Sequence, residues 1–180
     1  MLGNLCLGPV LTLGLFNPLG VGVHARYGHY VGFGLDYQFL PTITVSGASA
    51  GIGLLTVDGR LYPFGGAFFL SGGIAWQSAS FSATAHSTAG DAKVKGSISV
   101  PAFKLGLGFM GHDGFVMGID LALEIPLGSS NVDFSGNGSN AMTNAGFAKA
   151  RSNIKKGADV VVNMLPVLVQ LNLIRIGYLF

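Results

Sequence analysis

Four segments of this chain, residues 21–28, 31–40, 101–110 and 115–125, alternate residue by residue between two kinds of side chain. One set is apolar or aromatic throughout, whereas the intervening set contains five charged residues and seven glycines. Alternation with a period of two residues is the pattern of a β-strand whose two faces meet different surroundings. The chain is therefore predicted to form sheet, with charge and glycine gathered on one face.

The overall charge decides which face meets water. Only 10% of the 180 residues are charged, and 29 are glycine, whereas soluble domains carry charge on roughly a quarter of their residues. A soluble sandwich would need more lysine and glutamate on its outer face and edges. The net charge of +2 and the scattered basic residues argue against a nucleic-acid-binding protein. A single cysteine, Cys6, excludes an intramolecular disulfide framework and a cysteine-based zinc site.

A membrane protein remains, and it is not a helical one. Residues 1–25 and 61–90 lack charge, but several glycines and at least one proline interrupt each stretch. An interior glycine costs a helix about 1 kcal/mol and a proline about 3 kcal/mol. The other structure that satisfies every backbone group in lipid is a closed β-barrel. Because the N-terminus lacks a basic region and a clear cleavage site, we expect a mature form without its export signal.

The predicted fold is all-β, an eight-stranded antiparallel transmembrane up-and-down barrel formed by one domain over residues 1–180. The predicted strands are 4–15, 19–27, 30–40, 51–64, 67–79, 100–110, 115–127 and 160–180. Three short, glycine-containing turns lie on one side, whereas the other side carries mostly longer loops, predicted over residues 42–50, 80–99 and 128–159. This asymmetry is typical of outer-membrane barrels. In the last long loop, Ser139 and Asn140 could cap a short helix that ends at Gly157.

Aromatic residues cluster beside the short turns and at the C-terminus, where a ring at one membrane interface is expected. Its members are Tyr27, Tyr30, Phe64, Phe68, Phe109, Phe115, Tyr178 and Phe180. Phe39, Trp76 and Phe103 are candidates for the opposite ring.

Nine residues form the inward polar set: His24, Arg26, Asp36, Asp58, Arg60, Lys104, Asp120, Glu124 and Arg175. Four are basic and four acidic, and buried charges need partners. The interior of an eight-stranded barrel is just wide enough for side chains to fill. A salt-bridged plug is the favoured interpretation, and a narrow polar conduit is the alternative. Two local ambiguities remain: Asp58-Gly59 is also a hairpin dipeptide, and the last strand needs a bulge near Leu173 to keep its polar residues inside.

The last seven residues, Ile174 to Phe180, alternate apolar side chains and end on an aromatic residue. This ending resembles the assembly signal of bacterial outer-membrane barrels, with Tyr178 and Phe180 as its main elements. The whole chain resembles the small barrels typified by the membrane domain of outer membrane protein A, and residues 60–69 also resemble strand–turn–strand segments of small proteobacterial barrels. The resemblance implies insertion by the barrel-assembly machinery into a Gram-negative outer membrane, with periplasmic termini and extracellular long loops.

Catalytic chemistry finds little support in the sequence. Residues 106–111 match GxGxxG, but no βαβ unit follows, so a nucleotide site is not expected. His86 lies on the long-loop side, and Asp91 is the only nearby acid that could orient it as a general base. No cofactor, metal or catalytic residue is predicted.

The last long loop carries four basic residues: Lys149, Arg151, Lys155 and Lys156. They form either a solvated surface or a contact with lipopolysaccharide phosphates. Three functional hypotheses follow. The first is a monomeric, porin-like barrel with a filled interior and a structural or surface-interaction role. The second is a narrow channel or a carrier of small ligands or lipid, and the third is a lipid-modifying enzyme dependent on His86.

Overall fold

The structure is a computed structural model, and it describes residues 5–15, 17–45, 48–87, 90–111, 114–127, 131–137 and 168–180. The strands are β1 (Leu5–Gly14), β2 (Leu19–Tyr27), β3 (Val31–Val45), β4 (Ala48–Leu61), β5 (Phe68–Ser87), β6 (Gly90–Met110), β7 (Gly114–Pro126), β8 (Asn131–Asn137) and β9 (Leu168–Leu179). Within these ranges, no helix is long and apolar enough to cross a membrane. The helix predicted between Ser139 and Gly157 lies outside the described residues.

Eight of these strands close into a barrel. Each strand from β1 to β7 pairs antiparallel with the next one, β7 pairs with β9, and β9 pairs with β1. Closure leaves no sheet edge around this ring, so the ladders satisfy the backbone groups that lipid could not. The predicted all-β, eight-stranded up-and-down barrel is confirmed.

Alternation separates the two surfaces of the wall. The outward set is apolar and strongly exposed, as at Leu11 (62%) and Phe33 (59%), whereas the inward neighbours Val10, Thr12 and Gly34 are buried. A soluble protein would bury the first set and expose the polar one. The opposite arrangement here gives the barrel an apolar belt around a polar interior, which is the pattern of a lipid-embedded barrel.

Two strand pairs extend well beyond the apolar belt, and here the predicted loops were wrong. Residues 42–50 and 80–99 were predicted to be loops, yet β3 and β4 pair as far as Val45 and Ala48. The ladder between β5 and β6 continues to Ser87 and Gly90. Serine, threonine and alanine keep the backbone extended there while the outward face loses its apolar pattern, so the hydrophobic period ends before the strands do.

β8 lies within the long loop predicted over residues 128–159. It pairs with residues 93–99 of β6, directly beyond the point where β7 leaves β6 at Ala102. β8 therefore continues the β7 side of the wall above the barrel.

Both local ambiguities are resolved. β4 runs through Asp58-Gly59 without a turn, and Asp58 pairs with Gly34 and Gly73. In β9 the register shifts between Asn172 and Arg175 against both neighbouring strands. Leu173 (48% exposed) and Ile174 (41%) both face outward, so the predicted bulge is confirmed and the polar residues on either side of it point inward.

The short-turn end is built as predicted. Gly28, Gly65 and Gly114 adopt positive φ angles of 60°, 65° and 66° at the three turns, a conformation that favours glycine. The exposed ring of Phe64 and the half-buried ring of Phe68 lie 6.0 Å apart beside the second turn. All eight predicted girdle residues lie at this end, and seven of them rank among the most exposed large side chains.

Adjacent glycines in β5 provide a test of this wall. A Cβ on inward-facing Gly73 would overlap the backbone oxygen of Val57 and lie 2.7 Å from the Asp58 Cα, whereas a Cβ on outward-facing Gly72 would meet nothing closer than 3.8 Å. We expect Gly73→Ala to lower the free energy of unfolding by about 1–3 kcal/mol. Gly72→Ala should leave it unchanged or slightly raised. Urea titration of the lipid-embedded barrel measures both, and equal effects would contradict the close strand approach.

Candidate functional site

The nine residues of the predicted inward set all lie inside the barrel. None of these residues is more than 5% exposed, although eight of the nine have an acidic or basic side chain. Seven of the nine touch one another in a single cluster, and two lie apart at opposite ends of it. The alternation of the strands places them there, because each occupies the parity opposite to the apolar belt.

Asp36 on β3 is the centre of the cluster. Nη1 of Arg175 donates to both carboxylate oxygens at 3.1 and 3.0 Å, and Nε2 of His24 lies 3.0 and 3.1 Å from the same atoms. Nη2 of Arg60 approaches to 3.5 Å. One carboxylate thus joins side chains from β2, β4 and β9, which are otherwise separated around the ring.

Asp58 on β4 forms the second acidic position. Nε of Arg60 donates to Oδ1 at 2.8 Å, and Nζ of Lys104 donates to Oδ2 at 3.2 Å. Arg60 therefore bridges Asp58 to Asp36, and Lys104 brings β6 into the cluster.

Asp120 on β7 forms the third. Nε of Arg175 makes an ion pair with Oδ2, and Nδ2 of Asn172 donates to Oδ1 at 2.7 Å. The ion pairs form one continuous chain: Lys104, Asp58, Arg60, Asp36, Arg175 and Asp120. Three cations alternate with three anions, so the buried cluster is electrically balanced, as burial of charge requires.

His24 fits this arrangement as a neutral imidazole. Nη1 of Arg60 donates to Nδ1 at 2.9 Å, whereas Nε2 faces both Asp36 oxygens and also lies 3.0 Å from Nη1 of Arg175 and 3.2 Å from Nη2 of Arg60. Sδ of Met110 lies 3.3 Å from Nδ1 and 3.4 Å from the same Arg60 nitrogen. The imidazole therefore packs among the charges as a hydrogen-bonding spacer.

Arg26 lies apart, at the short-turn end. Its Nη2 donates to the backbone oxygens of His29, Gly65 and Gly66 at 2.8, 3.0 and 2.9 Å. Its guanidinium carbon also lies 3.7 Å from the centre of the Tyr62 ring, a cation–π contact. Arg26 thus ties together two of the three short turns.

Glu124 lies at the other end of the cluster, beside its register partner Lys104 on β6, and accepts a hydrogen bond from Nε2 of Gln77 on β5. Above the ion pairs, several polar side chains are buried without a hydrogen-bond partner among the described residues. They include Thr12, Gln38, Thr56 and Gln170. Below the ion pairs, an apolar layer fills the short-turn end: Val10, Tyr62, Phe69, Met110, Val116 and Leu179.

Inward glycines make room for the long side chains. A Cβ on Gly34 would lie 2.7 Å from Nη2 of Arg60 and 2.8 Å from Oδ1 of Asp58, and a Cβ on Gly20 would lie 2.6 Å from Cγ of Gln38. Each of these large side chains thus fills the space left by a glycine on a neighbouring strand, which has no side chain of its own. The lumen is packed by this complementarity.

Four uncharged side chains also contribute to the interior: Asn172, Gln77, Met110 and Tyr62. All four have the inward parity, but the predicted set was limited to charged residues and histidine, so it did not include them. The β5–β6 register places His86 opposite Asp91 in the extended hairpin. Among the described residues, no group of three or more His, Cys, Asp or Glu is arranged to hold a metal ion. Lys149, Arg151, Lys155 and Lys156 lie outside the described residues.

The fold and its polar interior define the class of closed eight-stranded antiparallel barrels. Two solved structures share this fold: CarO2 of Acinetobacter baumannii, with a TM-score of 0.55, 13% identity and coverage of 97% of this chain and 98% of that one, and CarO of the same organism, with a TM-score of 0.54, 16% identity and coverage of 96% and 97%. No protein-family model and no curated protein sequence matches the chain. The expected kinship with outer membrane protein A stays a prediction.

Two cross-strand neighbours test the ion-pair cluster. Asp36 and Thr56 are paired in the β3–β4 ladder and are equally buried, but only Asp36 has side-chain partners. Asp36→Asn leaves two buried guanidiniums short of a counter-charge, so we expect it to lower the free energy of unfolding by about 3–5 kcal/mol. Thr56→Val removes an unpaired hydroxyl at nearly constant volume and should raise it by about 1 kcal/mol. Urea titration in lipid vesicles measures both, and a destabilising Thr56→Val would show that this hydroxyl has a partner.

Proposed function

We propose that this chain is a small integral outer-membrane barrel whose closed, ion-paired interior carries no solute and no catalysis. Its role would be structural or would lie in interactions at the cell surface. The outward apolar belt supports the membrane setting, and CarO, which shares the fold, is an outer-membrane barrel protein. Insertion by the barrel-assembly machinery, periplasmic termini and extracellular long loops belong to the same proposal.

The observation that carries the proposal is the chain of ion pairs across the lumen. It joins β3, β4, β6, β7 and β9 at one level of the barrel, and each of its side chains is buried. An apolar layer lies directly below it. A solute moving along the barrel axis would have to separate paired buried charges, which costs several kcal/mol for each ion left without its partner.

The extended hairpin supports the surface-interaction part. β5 and β6 remain paired for twenty residue pairs, from Phe68 and Phe109 to Ser87 and Gly90. Only about the first nine are needed to span the apolar belt. The remainder, with β8 added alongside, presents a regular sheet beyond the membrane, and an ordered projecting sheet is suited to contact with another molecule.

Conductance tests the closed interior. In planar bilayers at 1 M salt, we expect the wild-type barrel to show no stable single-channel steps. The double variant Arg60→Ala, Arg175→Ala removes the two longest side chains of the ion-pair chain and should produce measurable openings. The matched control Lys95→Ala removes a cation from the exposed outer face of β6 and should stay silent. Stable steps from the wild-type protein would overturn the proposal in favour of the narrow channel.

A further inference from the structure

The outer wall changes character along one row of the barrel. Phe39, Gly53, Ser78 and Ser99 are register partners across β3, β4, β5 and β6. Two residues closer to the girdle on each strand, the outward face is apolar, as Trp76 beside Leu55 shows. From Phe68 at the girdle to Trp76, β5 extends roughly 26 Å along its own direction. Because the strands of such barrels tilt by about 40° from the barrel axis, this length corresponds to a rise of roughly 20 Å along the axis. The row therefore lies where the hydrocarbon region ends.

Above this row the outward side chains become hydroxyls. Ser78 and Ser80 on β5 face outward and pair with Ser99 and Ser97 on β6, and all four are exposed. Lys95 continues the same outward line on β6, opposite Ser82. This part of the wall combines hydrogen-bonding groups with the positive charge of Lys95, and Asp133 of β8 is the register partner of Ser97.

A groove of about 400 Å³ opens in the wall at this level. Two features create it. β3 bulges where its register shifts between Leu40 and Ile43, and β4 presents Gly51 and Gly53, which have no side chains to fill the gap.

The walls of the groove differ in chemistry. Tyr37 and Phe39 form one side, with ring centres 5.9 Å apart and planes inclined by 23°. Thr42, Ser78 and Ser80 supply hydroxyls on the other sides. A flat aromatic surface facing several hydroxyl groups, at headgroup depth, fits a ring that is apolar on its faces and polar at its edge.

From these observations we propose that the groove binds the phosphorylated sugar headgroup of lipopolysaccharide. The proposal rests on the outer-membrane setting proposed above. The acyl chains would lie on the apolar belt below Trp76, a sugar ring would enter between the aromatic pair and the serines, and Lys95 would meet a phosphate. The groove lies at the depth of lipid headgroups and is lined by uncharged residues. Lys95, opposite Ser82 and next to the groove residue Ser80 along β5, is the cation that an anionic headgroup would meet.

Blocking the groove provides the test. A Cβ on Gly51 would lie 3.1 Å from Oγ1 of Thr42 and 3.4 Å from Oγ of Ser80, so Gly51→Val directs a side chain into the groove. On the same strand, a Cβ on Gly59 would meet nothing closer than the Gly72 oxygen at 3.8 Å, so Gly59→Val adds the same side chain to the apolar belt as a matched control. A third variant, Lys95→Gln, changes only an exposed side chain and does not depend on the tolerance of Gly51.

The proteins are reconstituted in phosphatidylethanolamine vesicles with and without lipopolysaccharide, and the unfolding temperature is read from the heat-dependent gel shift. A lipid that binds only the folded barrel raises this temperature. We expect lipopolysaccharide to raise it for the wild type and for Gly59→Val equally, and to raise it by less than half as much for Gly51→Val and for Lys95→Gln.

Three results would overturn the proposal: no shift for the wild type, an equal shift in all four proteins, or the same groove-dependent shift when phosphatidylglycerol replaces lipopolysaccharide. The last result would assign the groove to phospholipid headgroups in general. None of these outcomes depends on conductance. A barrel that conducts and yet shows the groove-dependent shift would leave this site standing while the closed interior fails.

Discussion

Closure of the sheet is the constraint on which the rest of this structure depends. Lipid offers no hydrogen bonds to the backbone, so the β1–β9 ladder has to complete the ring. Once the ring is closed, every strand has one side in hydrocarbon and the other in a narrow core. The chain's few charges have only that core or the two ends available to them, and this explains why an apolar sequence buries an ion-pair chain at its centre.

The narrow core makes volume as important as charge. Arg60 and Arg175 reach across the interior to carboxylates on other strands, and the positions opposite such long side chains are glycines, as Gly34 shows. The abundance of glycine is therefore the counterpart of the buried arginines. Where the opposing glycine faces outward instead, as at Gly51 and Gly53, the missing volume appears as a groove on the lipid side.

Period-two alternation, the low overall charge and a bulge expected near Leu173 were together enough to predict the barrel, its strand order and the inward direction of all nine polar residues. The sequence pattern could not predict which side chains form ion pairs, because partners such as Asp36 and Arg175 are brought together by the tilt and stagger of the strands in the closed barrel. Arg26 and Glu124 share the parity of the cluster, yet their positions at opposite ends give them carbonyl and amide partners instead. The upper strands were missed because residues 80–87 keep the backbone pattern of a strand without its hydrophobic signature.

The Asp36–Arg175 contact also bears on how the barrel forms. These residues are 139 positions apart in the chain, and the second belongs to the strand that seals the ring. Until β9 docks against β1, Asp36 lacks its contact with Arg175, although Arg60 already faces Asp36 and Arg175 already faces Asp120 on the neighbouring β7. Closure therefore joins two ion-paired halves of the cluster, and a sheet closed in a register shifted by one residue, which would turn Arg175 toward lipid, is penalised at the same moment.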